Sequence, residues 1–351
     1  AEVIEQIVNL KFQHDDYGLA HFHEWMCGAG ILYLKKNLPR IGTVFTTHAT
    51  MLGRAMAHHN PYYYKEIEDR YSNTARAHEY GVQSKHSMEK LSAINADCFT
   101  TVSEITSSEA FYVLGKKADL IVYNGMNVDK EFTINKKERD LNKKKIIDTC
   151  SKFFGETLPK DTKIIISSGR YEYKNKGYDI SIEAMSRLQT TKGDKMPNVL
   201  FLFLIAADNI ELENYQLPVS ENPNFRAIAI SPVYNQDHDP IVNATKHFGL
   251  DKADSKVRIA LSTAYLNGRE GIFNIPYEEM LKSADLTLFP SYYEPWGYTP
   301  MESVVEGIPT VTSDLAGFGY WSQIQDCNSD YMIKVLTRKN KSYEEALGNL
   351  S

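Results

Sequence analysis

Short apolar runs alternate along the chain with longer stretches in which apolar residues recur every three or four positions. The short runs predict buried β-strands, and the longer stretches predict amphipathic helices. The predicted strands are 43–48, 97–103, 119–125, 163–170, 199–205 and 284–291. The clearest helical pattern places Ile180, Ala184 and Leu188 on one face. Strands that alternate with helices predict an α/β fold, in which helices cover a parallel sheet.

Polar residues that directly follow the predicted strands are the first candidates for a functional site. In an open parallel sheet, ligands bind beyond the carboxyl ends of the strands. This rule selects His48, Ser103, Asn124, Arg170 and Glu294.

A chain of 351 residues exceeds one ordinary hydrophobic core and predicts two domains. We place the boundary within 127–148 and assign 1–135 and 136–351 to the two domains. The lysine-rich part of this segment, KKERDLNKKK, also contains acidic residues, which indicates a solvated helix face or linker rather than a polyanion site. A second polar stretch, 222–240, is typical of an irregular loop with proline-bounded turns.

Composition narrows the class of protein. Apolar residues make up 42% and charged residues 24% of the chain, as in a folded soluble protein. A net charge of −6 argues against nucleic acid and anionic membranes as partners. The longest apolar run, 199–207, is too short to span a bilayer, and the first residues lack a signal-peptide pattern. The four scattered cysteines predict free thiols in a reducing compartment, which indicates a cytoplasmic protein.

The stretch SYYEPWGYTPMES, 291–303, carries the first chemical signal. Thr299 at an N-cap, Pro300 after it and Glu302 three residues beyond the cap match a capping box, so a helix is expected to begin at Pro300. This structural role alone would explain Glu302. The helix, however, directly follows a strand and Gly297, which points its first N–H groups toward an anion such as a diphosphate.

Glu294 precedes that turn and has no such structural explanation. A carboxylate held by neighbouring aromatics and prolines can accept hydrogen bonds from sugar hydroxyls or stabilise positive charge at an anomeric carbon. The sequence therefore makes Glu294 a candidate catalytic residue.

The stretch GRYEYKNKG, 169–177, carries two cations between a strand and a helix. Arg170 supplies a planar fork for phosphate and Lys176 a compact point charge, so together they can neutralise a diphosphate without a metal ion. The alternative is a loop of exposed cations. Two cations in one crevice would repel each other unless an anion bound there, which favours the phosphate site.

Histidines in AHFHEW, 20–25, raise the question of a metal site. His21 and His23 could ligate a metal from a strand, but no further ligand recurs at a matching spacing, so we expect no metal. His48, at a strand end, is better placed to bind a sugar hydroxyl. A serine hydrolase, a dinucleotide site and a P-loop are disfavoured because their glycine-containing motifs are absent from the sequence.

Six stretches in order, AHFHEW, FTTHATMLGR, FTTVSEIT, NGMNVDK, GRYEYKNKG and SYYEPWGYTPMES, resemble the eukaryotic-type glycogen synthases. The resemblance runs from about residue 20 to about residue 320. It implies two facing Rossmann-like domains, the GT-B architecture, with the active site in the cleft. Family members have earlier strands with a K-x-G-G loop and later helices with an arginine cluster. We therefore expect an incomplete N-terminal domain and missing C-terminal helices.

The resemblance assigns roles to residues on the donor phosphates. Arg170 and Lys176 match the pair that holds the diphosphate of UDP-glucose and stabilises the departing UDP. Arg54 is similar to an arginine that lines the nucleotide phosphates, and Glu302 matches the glutamate expected on the ribose hydroxyls. The start of the following helix completes the expected donor site with Gly297, Tyr298 and Thr299.

Other residues match positions around the transferred sugar. Glu294 corresponds to the first glutamate of the paired-carboxylate motif, beside the donor glucose. His48 and Asn124 match residues that lie near the same sugar. Glu24 falls where the family has an acidic residue near the reacting centre, and we place His23 with it on the possible acceptor side.

The implied activity is transfer of glucose from a nucleotide-glucose, UDP-glucose rather than ADP-glucose by expectation, to the non-reducing end of an α-1,4-glucan. Configuration is retained, no cofactor is needed, and a homo-oligomer is expected. The alternatives are an isomerase of the UDP-sugar 2-epimerase type and a non-catalytic glucan-binding protein. Activation by glucose 6-phosphate and the family's tetramer are not carried over, since residues 199–280 lack its long helical pattern.

Overall fold

The computed structural model describes residues 1–13, 16–60, 62–69, 74–128, 135–207, 215–327 and 331–351. These residues fold into two compact units, each with its own parallel sheet. Three segments make up the first unit: Ala1–Met126, Tyr293–Trp296 and Leu315–Trp321. The second unit consists of Asn127–Tyr292, Gly297–Asp314 and Ser322–Ser351.

The first unit contains a four-stranded parallel sheet in the order β1-β2-β3-β4. Its strands are β1 (Gly18–His23), β2 (Ile41–Thr47), β3 (Cys98–Thr101) and β4 (Leu120–Ile121). Its helices are α1 (Glu2–Lys11), α2 (Glu24–Cys27), α3 (Ala29–Asn37), α4 (Met51–His59), α5 (Tyr63–Asp69), α6 (Thr74–Glu79), α7 (Gln83–Asn95) and α8 (Glu104–Leu114). Phe45 pairs with Phe22 on one side and Phe99 on the other, and this row forms the centre of the core.

The second unit contains a six-stranded parallel sheet in the order β10-β9-β8-β5-β6-β7. Its strands are β5 (Lys163–Ser168), β6 (Val199–Leu204), β7 (Val257–Ser262), β8 (Leu286–Leu288), β9 (Thr310–Ser313) and β10 (Ile333–Leu336). Its helices are α9 (Lys136–Phe154), α10 (Tyr178–Lys192), α11 (Pro240–His247), α12 (Tyr277–Lys282), α13 (Tyr298–Val305) and α15 (Tyr343–Leu350), and α14 (Gly317–Ile324) enters it from the first unit.

The order of strands in the second sheet reverses next to β5. The chain adds β6 and β7 on one side of β5 and then returns to place β8 on the other side. Such a switch point opens a crevice at the carboxyl ends of the two strands, where doubly wound folds bind their ligands. The segments that follow β5 and β8 therefore border the expected binding position.

The predicted α/β fold with parallel sheets is confirmed, and all six predicted strands are present as β2, β3, β4, β5, β6 and β8. Four further strands were not predicted: β1, β7, β9 and β10. The prediction for 119–125 is wrong in extent because β4 ends at Ile121. Asn124 consequently lies in an irregular segment rather than at a strand end.

The lysine-rich segment was correctly interpreted as a solvated helix face from residue 136 onward, where it forms the start of α9. Within the predicted boundary region, 129–134 lie outside the described residues, and the division at 135/136 stays a prediction. Residues 222–240 are mostly irregular, as predicted, apart from a short 3₁₀ turn. All four cysteines are free thiols. Among the residues described, no helix is both long and apolar enough to cross a membrane.

Candidate functional site

The loop that follows β5 carries both predicted phosphate-binding cations. Backbone bonds from Lys176 N to Glu172 O (2.9 Å) and from Tyr178 N to Tyr173 O (3.1 Å) fold this loop tightly before α10 begins. Lys176 is only 9% exposed, whereas the side chain of Arg170 is 61% exposed and forms an ion pair with Glu172 at 3.3 Å. The loop thus presents one confined cation and one that remains widely accessible to a ligand.

The segment that follows β8 is bonded to the same loop. Tyr292 N donates to Asn175 O at 2.8 Å, and the Tyr292 hydroxyl donates to Asp179 at 3.2 Å. The Arg338 guanidinium lies over the Tyr292 ring, 3.4 Å from its centroid, and bonds Pro290 O. These contacts fix the two segments on either side of the switch point within the second unit.

Helix α13 begins one residue before Thr299, so the predicted N-cap and capping box are wrong. The N-cap is Gly297, with φ 107° and ψ 81°, and the first helical residue is Tyr298. A glycine adopts positive φ easily, which lets the chain turn into the helix before it reaches Thr299. A glycine also has no side chain to cap the first turn, so the first N–H groups of α13 are suited to an anionic ligand.

The side chain of Glu302 bonds to Tyr277 instead of forming the predicted capping box. Its Oε2 accepts a hydrogen bond from the Tyr277 hydroxyl at 3.4 Å, and that hydroxyl is 2.7 Å from Ser168 Oγ at the end of β5. Burial raises the pKa of Glu302, and the nearby carboxylate of Glu278 adds to this effect. Sequence reasoning missed Tyr277 and Ser168, because neither belongs to a recognisable motif.

The first unit brings His23, Glu24 and His48 together at the carboxyl ends of β1 and β2. His48 N donates to Glu24 Oε1 at 3.0 Å, and His23 Nδ1 lies 3.1 Å from His48 Nε2. Glu24 has a φ of 65°, a left-handed conformation that is uncommon for a residue with a Cβ and typical of functional sites. Three residues predicted from the sequence are therefore adjacent.

The surroundings of His48 favour the neutral form of its imidazole. Burial lowers the pKa of His48; the positive charge of His23 lowers it further, and Glu24 partly opposes these effects. The pKa of His21 is also lowered, by burial first and then by His23 and His48. A neutral His48 can both donate and accept a hydrogen bond, which suits a sugar hydroxyl. In the described part of the chain, no three His, Cys, Asp or Glu side chains converge as metal ligands would.

Glu294 lies in a short segment of the first unit, Tyr293–Trp296, that is held from several sides. Glu294 N donates to Leu315 O at 3.3 Å, and Gly317 N donates to Glu294 O at 3.0 Å. Ser103 Oγ donates to Pro295 O at 2.7 Å and also accepts from Thr106 N as the N-cap of α8. Ser103, a strand-end candidate from sequence, thus uses its hydroxyl within the protein.

Arg54 and Asn124 lie near this segment. Arg54 is exposed on α4. Burial and then the charge of Glu109 raise the pKa of Tyr293 well above its usual value, and the positive charge of Arg54 opposes this effect. Asn124 is half-buried and follows Tyr123, whose ring centroid is 5.7 Å from that of Trp296. The first N–H groups of α4 already have partners within the protein: Met51 N donates to the buried carboxyl group of Glu89, and Gly53 N donates to the Thr50 side chain.

Solved structures share the fold of this chain at low sequence identity. Sucrose-phosphate synthase from Thermosynechococcus elongatus matches with a TM-score of 0.55 and 17% identity, over 99% of this chain and 66% of that one. WaaG, a glycosyltransferase involved in lipopolysaccharide biosynthesis, matches with a TM-score of 0.50 and 15% identity, over 91% and 70%. The two parallel sheets are therefore those of the GT-B class, the two-domain Rossmann-like fold of glycosyltransferases.

Sequence comparison narrows this class. The family model described as "Glycogen synthase" matches residues 1–217 and 203–351. Human liver glycogen [starch] synthase is 31% identical, over 95% of this chain and 56% of that protein. Glycogen [starch] synthase isoform 1 from Saccharomyces cerevisiae is 30% identical, over 95% of this chain and 57% of that protein. The chain belongs to the glycogen synthase family, and it spans about half the length of these relatives.

Proposed function

We propose that the protein transfers glucose from a nucleotide-glucose donor, UDP-glucose, to the non-reducing end of an α-1,4-glucan with retention of configuration. Family membership supports this proposal. The observation that carries it is the pair Arg170 and Lys176, which directly follows β5 at the switch point of the second unit. Glycosyl transfer from a nucleotide donor needs positive charge where the diphosphate departs, and these two residues supply it.

The donor diphosphate binds to Arg170, to Lys176 and to the first N–H groups of α13, with Gly297, Tyr298 and Thr299 forming that helix start. Arg54 lies on the nucleotide phosphates as well. Glu302, fixed by Tyr277, accepts hydrogen bonds from the ribose hydroxyls. The side-chain cations take the place of a divalent ion, so the reaction proceeds without a metal.

Groups of the first unit act on the transferred glucose and the acceptor. Glu294 stabilises positive charge at the anomeric carbon, while His48 and Asn124 bind hydroxyls of the same sugar. His23 and Glu24 contribute to the acceptor side. The bond between the anomeric carbon and the diphosphate oxygen breaks, and its electron pair leaves with UDP. The 4-hydroxyl of the glucan then bonds to the same face, and its proton passes to the departing phosphate.

The protein acts in the cytoplasm on an α-1,4-glucan and assembles as a homo-oligomer. The free thiols support a reducing compartment. Neither nucleic acid nor a membrane is a partner in this proposal.

Incubation of the protein with labelled UDP-glucose or ADP-glucose and a glucan primer tests the proposal. We expect label in the polymer, with UDP-glucose the better donor. Formation of a 2-epimerised sugar without polymer would replace the proposal with an isomerase. Glucan binding without turnover of either donor would replace it with a binding protein.

A further inference from the structure

Glu109 of α8 has a buried carboxyl group that accepts three hydrogen bonds. The residue is 1% exposed, and its Oε1 accepts from Thr50 N (3.0 Å), Thr50 Oγ1 (2.6 Å) and the Tyr293 hydroxyl (3.2 Å). Burial of a carboxyl group is costly unless hydrogen bonds satisfy it. The donors come from two segments that are far apart in sequence, so Glu109 joins these segments to each other.

Each of the two segments carries a residue of the candidate site. Thr50 lies two residues after His48, in the turn that connects β2 to α4. Tyr293 directly precedes Glu294. Both segments belong to the first unit, and a single oxygen atom of Glu109 lies where they meet.

Helix α8 holds the segment of Glu294 at further points. Ser103 Oγ and Thr106 Oγ1 both donate to Pro295 O, at 2.7 Å and 3.4 Å. Ser103, Thr106 and Glu109 recur at intervals of three residues and so lie along one face of the helix. This face binds the backbone on one side of Glu294 and the tyrosine side chain on its other side.

The first turn of α4 packs directly against the same carboxyl group. A Cβ atom at Gly53 would overlap Cδ and Oε1 of Glu109. The absence of a side chain at position 53 lets α4 approach the carboxyl group closely enough for both bonds from Thr50. The turn that carries His48 is thereby held from its α4 end.

We propose that Glu109 is a positioning residue for glycosyl transfer, which sets the position of the His48 turn relative to the Glu294 segment. This inference rests on the proposed function, because it matters for catalysis only if His48 and Glu294 act on the sugar. A displacement of about 1 Å between reacting groups can lower a rate by about a hundredfold. Glu109 touches no substrate and acts through the residues that do.

The alternative is that Glu109 only stabilises the fold. Both roles predict a lower unfolding midpoint when its hydrogen bonds are removed. Only the positioning role predicts that His48 changes its environment and that kcat falls per folded molecule while KM for the donor stays nearly constant.

The test uses three variants and one matched control. E109Q keeps an oxygen at the position of Oε1, E109L removes every bond, and Y293F removes only the bond to the Glu294 segment. Y33F is the control, because Tyr33 donates to Glu5 at 2.5 Å in the same unit and touches neither segment. Initial rates are measured below each unfolding midpoint. The His48 imidazole signals are followed by NMR and assigned through H48Q.

We expect E109Q and Y33F to keep kcat within about threefold of the parent, E109L to lose on the order of a hundredfold, and Y293F to lose about tenfold. KM for the donor should change less than about threefold in all four, as expected when ground-state binding is retained. The His48 signals should move in E109L and stay in place in E109Q. Y293F supplies the result if E109L fails to fold.

The inference would be overturned if the kcat of Y293F equalled that of Y33F and the His48 signals of E109L stayed where they are in E109Q. The NMR measurement does not depend on turnover. If the parent transfers no glucose, the proposed function fails, while the His48 signals still show whether Glu109 holds the turn.

Discussion

Lys176 and Arg170 differ in how the fold exposes them, and this difference assigns each a task. The ammonium of Lys176 is confined at 9% exposure, so it is already in place before a ligand arrives. The accessible guanidinium of Arg170 can leave Glu172 for a phosphate that offers a bidentate contact. Charge at the leaving group is most effective when it is preorganised, as Lys176 is.

Removal of either cation is expected to lower kcat by about two orders of magnitude, the usual effect of losing one preorganised charge contact. The variants are Arg170→Ala and Lys176→Ala, measured with saturating donor and glucan primer. Lys174→Ala is the control, since Lys174 is a neighbouring cation in an ion pair with Asp179 at 2.7 Å. Turnover near the parent value in either test variant would remove the leaving-group role.

Glu89, on α7, is a second buried carboxyl group, and its titration affects stability. It is fully buried, with bonds from Thr47 Oγ1 (2.6 Å) and Met51 N (2.9 Å). Burial raises its pKa from about 4.5 to about 8, and the negative charges of Glu24 and Glu109 also raise it, although the two hydrogen bonds lower it. Between these pH values the folded protein keeps a proton that the unfolded chain releases.

The stabilising effect of this proton is complete below pH 4.5 and is lost as the pH rises toward 8. We therefore expect the free energy of unfolding of the parent, minus that of Glu89→Gln, to fall by up to about 1.4 kcal/mol per pH unit across this window. The subtraction cancels histidine titration, which acts in the opposite direction. Urea unfolding at pH 5, 6.5 and 8 measures the difference, with the exposed Glu2→Gln as control. A difference independent of pH would show that Glu89 has an ordinary pKa.

Among secondary-structure elements, the sequence predicts best those whose character is local. β5, β6 and β8 are apolar runs that the sheet buries, so composition alone identifies them. β1 was not predicted because it carries two histidines and is buried only at alternate positions, as an edge strand is. β9, TVTS, is mostly polar and therefore does not form an apolar run. The apolar run at 119–125 continues beyond β4, which ends at Ile121, and both Val122 and Tyr123 are exposed.

The start of α13 shows why a local pattern can fail. Thr299, Pro300 and Glu302 fit a capping box, but the backbone conformation of Gly297 starts the helix two residues earlier, at Tyr298 rather than at Pro300. Side chains that support strand-end residues from distant parts of the sequence are beyond such patterns altogether. Tyr277, Glu89 and Glu109 lie on three helices, and only the tertiary fold brings them to the strand ends.

Gly297→Ala is expected to weaken donor binding, because a Cβ disfavours φ 107° and forces the start of α13 to move. The strain should lower stability by about 1–3 kcal/mol. Gly193→Ala is a matched control, since Gly193 also has positive φ at the end of α10, with open space around its Cβ position. Calorimetric titration with UDP should show a raised Kd only for Gly297→Ala. Equal affinities in the two variants would separate the helix start from the donor.

The whole chain belongs to the glycogen synthase family but spans only about half the length of its relatives. The alignment with the human liver protein extends over 396 positions, more than the 351 residues of this chain. The human protein therefore has additional residues within the matched region.

The central claim is that side-chain cations of the second unit hold a nucleotide diphosphate without a metal ion. Calorimetric titration of the protein with UDP in the presence of EDTA tests it most directly. We expect the parent and Lys174→Ala to bind UDP, and Arg170→Ala and Lys176→Ala to bind it at least about tenfold more weakly, in line with the loss of a charge-assisted contact. Binding that requires a divalent ion, or that is equally tight in all four proteins, would contradict the account.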